Sequence, residues 1–277
     1  MTPNGSSVLG WSSVLLAGIA CSTAGGGRAD FDLIKVPGAP VFASEQNYAS
    51  TLVGGRYRLF NNAWNKGATS GRYRQKIFVS DDRGQPVFGW VWKWRDSSGV
   101  ATYPEVQAGV SPWNGEAAPD SGFPFLAGSK KLVVDYDIDL QASGSYNLAF
   151  EFWAVSGEPV SKETITHEVM IWVASEGLAA AGSEVAKPHI GGHGFSVDVQ
   201  KNHGDSSGAH SNTWTIITLI ADQPILHGPL DIGAVIDYLV ESGLLDRRLL
   251  IANLELGDEV QRGSGMTVVR NFAVRVE

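Results

Sequence analysis

The chain has 277 residues, 21 basic against 29 acidic, for a formal net charge of -8. That balance argues against a phosphate-backbone partner and so against nucleic-acid binding. Apolar residues at 43% with charged residues at 18% supply a sizeable core and exclude an intrinsically disordered chain, while the one cysteine leaves no internal disulfide or thiolate metal cluster.

In chain order, the apolar run from Val8 to Ala20 is too short to span a bilayer but has the length of a signal-peptide core. Residues 1–24 are therefore expected to be an export signal, which places the protein outside the cell, although the preceding residues lack a Lys or Arg. The alternative is a lipid anchor through Cys21, with Gly18 where a Leu is usual. Residues 25–41, with Gly25-Gly26-Gly27, Pro37 and Pro40, read as a linker, and residues 42–277 as one domain. From Phe42 onward the chain alternates with period two in segments 57–61, 87–94, 131–140, 146–155, 164–173, 195–199, 212–220, 249–256 and 266–276. Turn signals such as Asp81-Asp82-Arg83-Gly84, Ser97-Ser98-Gly99 and Ala142-Ser143-Gly144 separate them, and the pattern predicts an all-β sandwich or barrel. The one helix expected is 232–243, where Ile232, Val235, Ile236, Leu239 and Val240 share a face and Gly243 ends it.

Candidate chemistry begins with the strand carrying His167 to Val173. Alternation puts Glu168, Met170 and Trp172 on one face and His167, Val169, Ile171 and Val173 on the other. The second face suits a core; the first sets a carboxylate beside a thioether and an indole, an expensive burial unless it is paired or used. Its bland alternative is a Glu168 pointing to solvent. In 146–155, Glu151 and Trp153 share a face opposite Phe150 and Phe152, so two strands each offer an acid beside a Trp. Trp90, Trp92 and Trp94 lie on one side of their strand and read either as a sugar-stacking platform or as a core layer.

Near the C-terminus Glu255, Asp258 and Glu259 flank Gly257, and paired carboxylates suit glycoside hydrolysis. Glu255 would share the face of Glu259 in a regular strand; a bend at Gly257 would break that parity, and Glu259 is preferred as the acid. Four histidines, His189, His193, His203 and His210, lie close in sequence, but no acid or Cys falls at a zinc spacing, so no metal is expected. Gly191-Gly192-His193-Gly194 lacks a following helix, and there is no Gly-x-Ser-x-Gly elbow.

Several pieces together resemble glycoside hydrolase family 12 from about Tyr57 to the C-terminus. They are Asn61-Asn62-Ala63-Trp64, the Trp90 to Trp94 run followed by Tyr103-Pro104-Glu105, Phe150-Glu151-Phe152-Trp153, His167-Glu168-Val169-Met170-Ile171-Trp172 and Gly257-Asp258-Glu259. The resemblance implies a jelly-roll sandwich of two antiparallel sheets with a concave cleft, and a retaining endo-β-1,4-glucanase or xyloglucanase. Carried over by position, Glu168 is the nucleophile, Glu259 the general acid/base, and Glu151 stands where an Asp hydrogen-bonds the nucleophile. Asn62, Trp64, Met170 and Trp172 line the glycone side, Trp92 and Tyr103 belong to the aromatic cleft, and Trp113 sits in a loop that shapes it. Glu151 is one methylene longer than that Asp, Val260 replaces a usual Pro, and Asp258 replaces a Thr or aromatic residue. The expected enzyme acts as a monomer on a β-glucan polysaccharide, without cofactor or membrane span. A non-catalytic glucan-binding sandwich and a transglycosylase are the competing readings.

Overall fold

The first described strand, β1 (Ala39–Ser44), begins inside the stretch expected to be a linker. The computed structural model describes residues 31–119 and 121–277; the expected export signal 1–24 with Cys21, and residues 25–30, lie outside them. Leu33 and Val36, also in the expected linker, pack on Phe78, Val87, Val91, Met266 and Val268. Residues 32–277 form one unit.

Fifteen strands follow β1, in the order β2 (Ser50–Val53), β3 (Tyr57–Phe60), β4 (Tyr73–Asp82), β5 (Gln85–Trp94), β6 (Glu105–Gly109), β7 (Phe125–Leu126) and β8 (Leu132–Val155), then β9 (Ile165–Glu176), β10 (Ser183–Ala186), β11 (His189–Ile190), β12 (His193–Gly204), β13 (Thr213–Ala221), β14 (Leu230–Asp231), β15 (Leu250–Ile251) and β16 (Asn253–Val276). The turn at Asp81 to Gly84 joins β4 to β5 with Arg83 and Gly84 at φ 59 and 84 degrees, as a two-residue hairpin requires.

The strands form a jelly-roll sandwich, one continuous sheet folded into two layers. One layer runs β2, β3, β6, the first half of β16, the second half of β8, β9, β13, β12, β10; the other runs β1, β4, β5, the second half of β16, the first half of β8. The turn expected at Ala142-Ser143-Gly144 does not interrupt β8. There Gly144 pairs with Gly263 at φ 132 and 113 degrees, and both strands bend between layers without losing their ladder. A Cβ on either glycine would meet the opposite strand's carbonyl oxygen, at 2.3 Å from Arg262 and 2.1 Å from Ser143 respectively. Strand β13 runs parallel to β9, a departure from the expected all-antiparallel sheets, because the chain crosses to the edge through β10 and β12 before returning.

The core between the layers takes Leu148, Phe150, Phe152, Val169, Ile171, Leu254 and Leu256 from one side and Ile77, Val134, Ile138 and Val269 from the other. Trp90, Trp92 and Trp94 belong to this core too, with Trp92 at 0% exposure. Trp92 is therefore no sugar platform: its indole Nε1 donates to Asp258 Oδ2 at 2.6 Å, satisfying a carboxyl on the inward face of β16. The helix α1 (Ile232–Glu241) buries Ile232, Val235, Ile236 and Leu239, the face expected of it. Asp231 caps it by accepting from the Ala234 N–H at 2.9 Å, and Gly243 follows its end at φ 73 degrees.

Candidate active site

Strands that bury one parity in the core must present the other. On β8 that is Asn147, Ala149, Glu151 and Trp153; on β9, Glu168, Met170 and Trp172; on β16, Glu255, Gly257 and Glu259. These faces form the floor of a cleft of about 570 Å³. Of the ten residues singled out by the sequence, Asn62, Trp64, Tyr103, Trp113, Glu151, Glu168, Met170, Trp172 and Glu259 all line it; Trp92 does not. His203 and His210 line it as well, whereas His189 and His193 sit at the β11–β12 hairpin.

β16 stays in regular register with β6 from Asn253 to Gly257 and with β8 from Glu255 to Val260. The bend expected at Gly257 is absent, so Glu255 and Glu259 share the cleft face. Glycine stands there for a different reason: a Cβ would lie 2.8 Å from the Tyr103 ring and 2.7 Å from the Pro104 carbonyl oxygen. Tyr103 is in turn held by its hydroxyl, which donates to the Ala149 carbonyl at 3.0 Å.

Five carboxyls, Glu105, Glu151, Glu168, Glu255 and Glu259, meet on this floor. Burial is the leading reason that all five hold their protons tightly. Glu168 is pushed up to about 8, first by burial and then by the charge of Glu259, against the pull of a hydrogen bond from Trp214. That bond, Trp214 Nε1 to Glu168 Oε2, is 2.6 Å long. Glu259 rises to about 7 through burial, opposed by Asn147. The Asn147 amide grips it twice: Nδ2 donates to Glu259 Oε2 at 2.6 Å and Oδ1 accepts from the Glu259 N–H at 3.1 Å. Glu151 is held well above the usual carboxylate range by burial and then by the Glu168 charge.

Glu255 and Glu105 lie within hydrogen-bonding reach of each other, and the Arg58 charge opposes the rise that burial imposes on both. Asn253 Nδ2 also donates to Glu255 Oε1 at 2.7 Å. Glu255 is thus engaged on the floor, and the charge acting on Glu168 comes more from Glu259 than from Glu255.

Trp153, Trp214 and Trp113 form a mutually edge-on cluster beside Glu168, with ring centroids 5.3 to 5.6 Å apart. Among the described residues, nine buried side-chain atoms have no hydrogen-bond partner in the protein. Four of these belong to cleft-lining residues and lie clear of the Glu105, Glu255 and Trp153 contacts: Arg58 Nε and Nη1, Trp172 Nε1 and Thr218 Oγ1. Buried polar groups are rarely left unsatisfied, so a concentration of them on one floor marks it as a candidate binding surface.

Trp214, Asn147 and Arg58 were not singled out from the sequence, and Glu105 stood there only within a motif, without a role. Asn147 carried a signal, because it shares parity with Glu151 and Trp153. Trp214 carried none, since its role depends on the register of β13 beside β9.

The chain matches the profile of the family described as glycosyl hydrolase family 12 over residues 55–277. No curated protein sequence matches it. Among solved structures, a family 12 xyloglucanase from Bacillus licheniformis superposes with a TM-score of 0.76 at 26% identity, over 85% of this chain and 100% of that one. A metagenome-derived family 12 endoglucanase gives 0.72 at 22%, over 86% and 99%. An endoglucanase from Rhodothermus marinus gives 0.68 at 22%, over 85% and 99%; these last two bear on the fold alone.

Proposed function

Since the chain belongs to glycosyl hydrolase family 12, we propose that it cleaves internal β-1,4 bonds of a glucan with retention of anomeric configuration, acting outside the cell as a monomer. In this reading Glu168 attacks the anomeric carbon to form a glycosyl-enzyme while Glu259 protonates the departing oxygen. Glu259 then takes a proton from water, which attacks the same carbon from the opposite side to the enzyme oxygen and releases Glu168. Two inversions restore the starting configuration.

The observation that carries this reading is the pairing of Glu168 and Glu259. They come from β9 and β16 with β8 between them, line one cleft, and the charge of Glu259 acts on Glu168. A double displacement starts from an ionised nucleophile and a protonated acid, so one proton on these two carboxyls is the state the reaction needs. The Trp214 N–H favours the ionised form of Glu168, and Glu151, which burial and the Glu168 charge bias toward its protonated form, stands on the adjacent strand. Asn147 favours the ionised form of Glu259, which the second half of the reaction uses. Glu151 and Asn147 act here as positioning residues.

The test is reducing-end release from cellulosic glucan and xyloglucan, with proton NMR of the first-formed anomer. Retention gives the β anomer first, and Glu168→Gln and Glu259→Gln each lower kcat by about 10³-fold or more, the scale of losing a catalytic carboxyl. Binding without release would leave a glucan-binding module, and a first-formed α anomer would exclude the double displacement.

A further inference from the structure

The loop between β12 and β13 does not stop at the cleft wall. It leaves the sheet where His203 pairs with Trp214, the residue that holds Glu168. Its base is anchored on that side. The His210 ring lies 5.3 Å from that of Trp113, His210 Nδ1 lies 3.4 Å from Lys162 Nζ, and Asn212 Nδ2 donates to the Lys162 carbonyl at 2.9 Å. Its tip reaches the other side, where Asn65 Nδ2 stands 3.4 Å from Ser206 Oγ.

Asn65 is itself fixed on the side of Glu259. Its N–H donates to the Ala101 carbonyl at 3.2 Å, and the Ala101 N–H donates to the carbonyl of Val260, next to Glu259. Residues 204–210 therefore span from the Glu168 side to the Glu259 side. Ser206, Ser207 and Ala209 share the lining of the cleft with both carboxyls, while the same three residues are exposed on their outer side. A strap in this position needs internal bracing, and Asp205 supplies it: its two carboxylate oxygens accept from the Ser207 N–H at 2.8 Å and the His210 N–H at 3.1 Å.

We propose that the strap 204–210 determines specificity, roofing the cleft over Glu168 and Glu259 so that an unbranched β-glucan chain is accepted and a side-chain-bearing one is refused. This rests on the hydrolase reading above and selects the substrate class within it. The physical argument is one of cross-section. In an open cleft a sugar branch on the backbone projects into water at little cost, whereas beneath a roof the same branch must displace the strap or desolvate against it, and steric refusal of this kind is how a binding site discriminates by shape. The only hydrogen bond the strap makes to Asn65 is long, so the roof also has a weak latch on the Glu259 side through which a linear chain gains entry.

The experiment compares kcat/KM on an unbranched mixed-linkage β-glucan and on xyloglucan. The full-length protein is expected to favour the unbranched glucan by at least tenfold. Replacing residues 206–209 by two glycines is expected to bring the ratio close to one through a faster xyloglucan reaction, and Ser206→Ala is expected to lower the ratio by a few-fold. Near-UV circular dichroism reports whether the shortened protein keeps its packed core, and the wild-type ratio stands independently of that variant. Xyloglucan turned over as well as or better than the unbranched glucan overturns the strap proposal while leaving the hydrolase reading intact. A ratio unmoved in a folded, shortened protein does the same. A wild-type protein that cleaves neither polymer overturns the hydrolase reading itself.

Discussion

Replacing Trp214 by Phe tests how the floor of the cleft sets the charge on Glu168. The lost interaction is one indole N–H bond of 2.6 Å to a buried carboxylate oxygen. A hydrogen bond to a charged group is worth about 1.5–3 kcal/mol, and 1.36 kcal/mol corresponds to one pKa unit, so the Glu168 pKa should rise by about 1–2 units. The bond favours the ionised form, and its loss adds to burial and to the Glu259 charge, both of which already raise Glu168 to about 8. If the reaction needs Glu168 ionised, the acidic limb of kcat/KM against pH moves up by the same amount. At mildly acidic pH the variant then loses about 10–100-fold in kcat/KM, while on the basic limb, which Glu259 sets, it approaches wild type. Phe keeps a ring against Trp113 and Trp153, whose centroids lie 5.6 Å away, so the melting temperature should change little. The assay is initial rate on a β-glucan from about pH 4 to about pH 9. A uniform loss across pH with an unmoved acidic limb would refute the reasoning and leave Trp214 as a packing residue.

The remaining predictions concern the other side of the pair and the frame that holds it. Asn147→Ala removes a donor that favours ionised Glu259, so the basic limb should move to higher pH and kcat fall by about 10-fold or more as the carboxyl loses its orientation, measured in the same pH profile. Asp258 is 0% exposed and raised to about 6 in the fold from an ordinary 3.8. A carboxyl that binds its proton more tightly when folded contributes its stability below the unfolded pKa and loses it as pH rises through the folded one. Between pH 3.8 and about 6 this amounts to about 3 kcal/mol, so Asp258→Asn should be more stable than wild type in denaturant titrations at pH 8 and no more stable at pH 4. Gly263→Ala puts a Cβ 2.1 Å from the Ser143 carbonyl at φ 113 degrees and should cost about 2 kcal/mol or more in chemical denaturation; an unchanged midpoint would mean that the corner between the layers is not held as described.

How much of the fold was legible follows from which signals are local. Alternation is a property of the strand itself, so the division of β9 into Glu168, Met170 and Trp172 against Val169, Ile171 and Val173 could be read before any partner strand was known. The same holds for α1, whose buried face and Gly243 stop were visible in the residues. The turn at Gly144 was misread because a glycine signals conformational freedom without saying whether the chain reverses or bends in place. Only the opposing Gly263 decides that.

Sequence by itself determined the all-β class and the parity of each strand, because amphipathic periodicity acts within a few residues, and the resemblance to a known family pointed to nine residues that meet in the cleft. Tertiary structure decided which apolar face became core and which became floor. It sent the Trp90, Trp92 and Trp94 indoles inward to the sandwich, with Trp92 against Asp258, and left Trp153 and Trp214 to flank Glu168. It also set the charge on each carboxyl, since burial and the approach of Trp214, Asn147 and Glu105 depend on pairings between strands far apart in the chain. Register is a cooperative outcome of packing two layers at once, and no single segment contains the information to specify it.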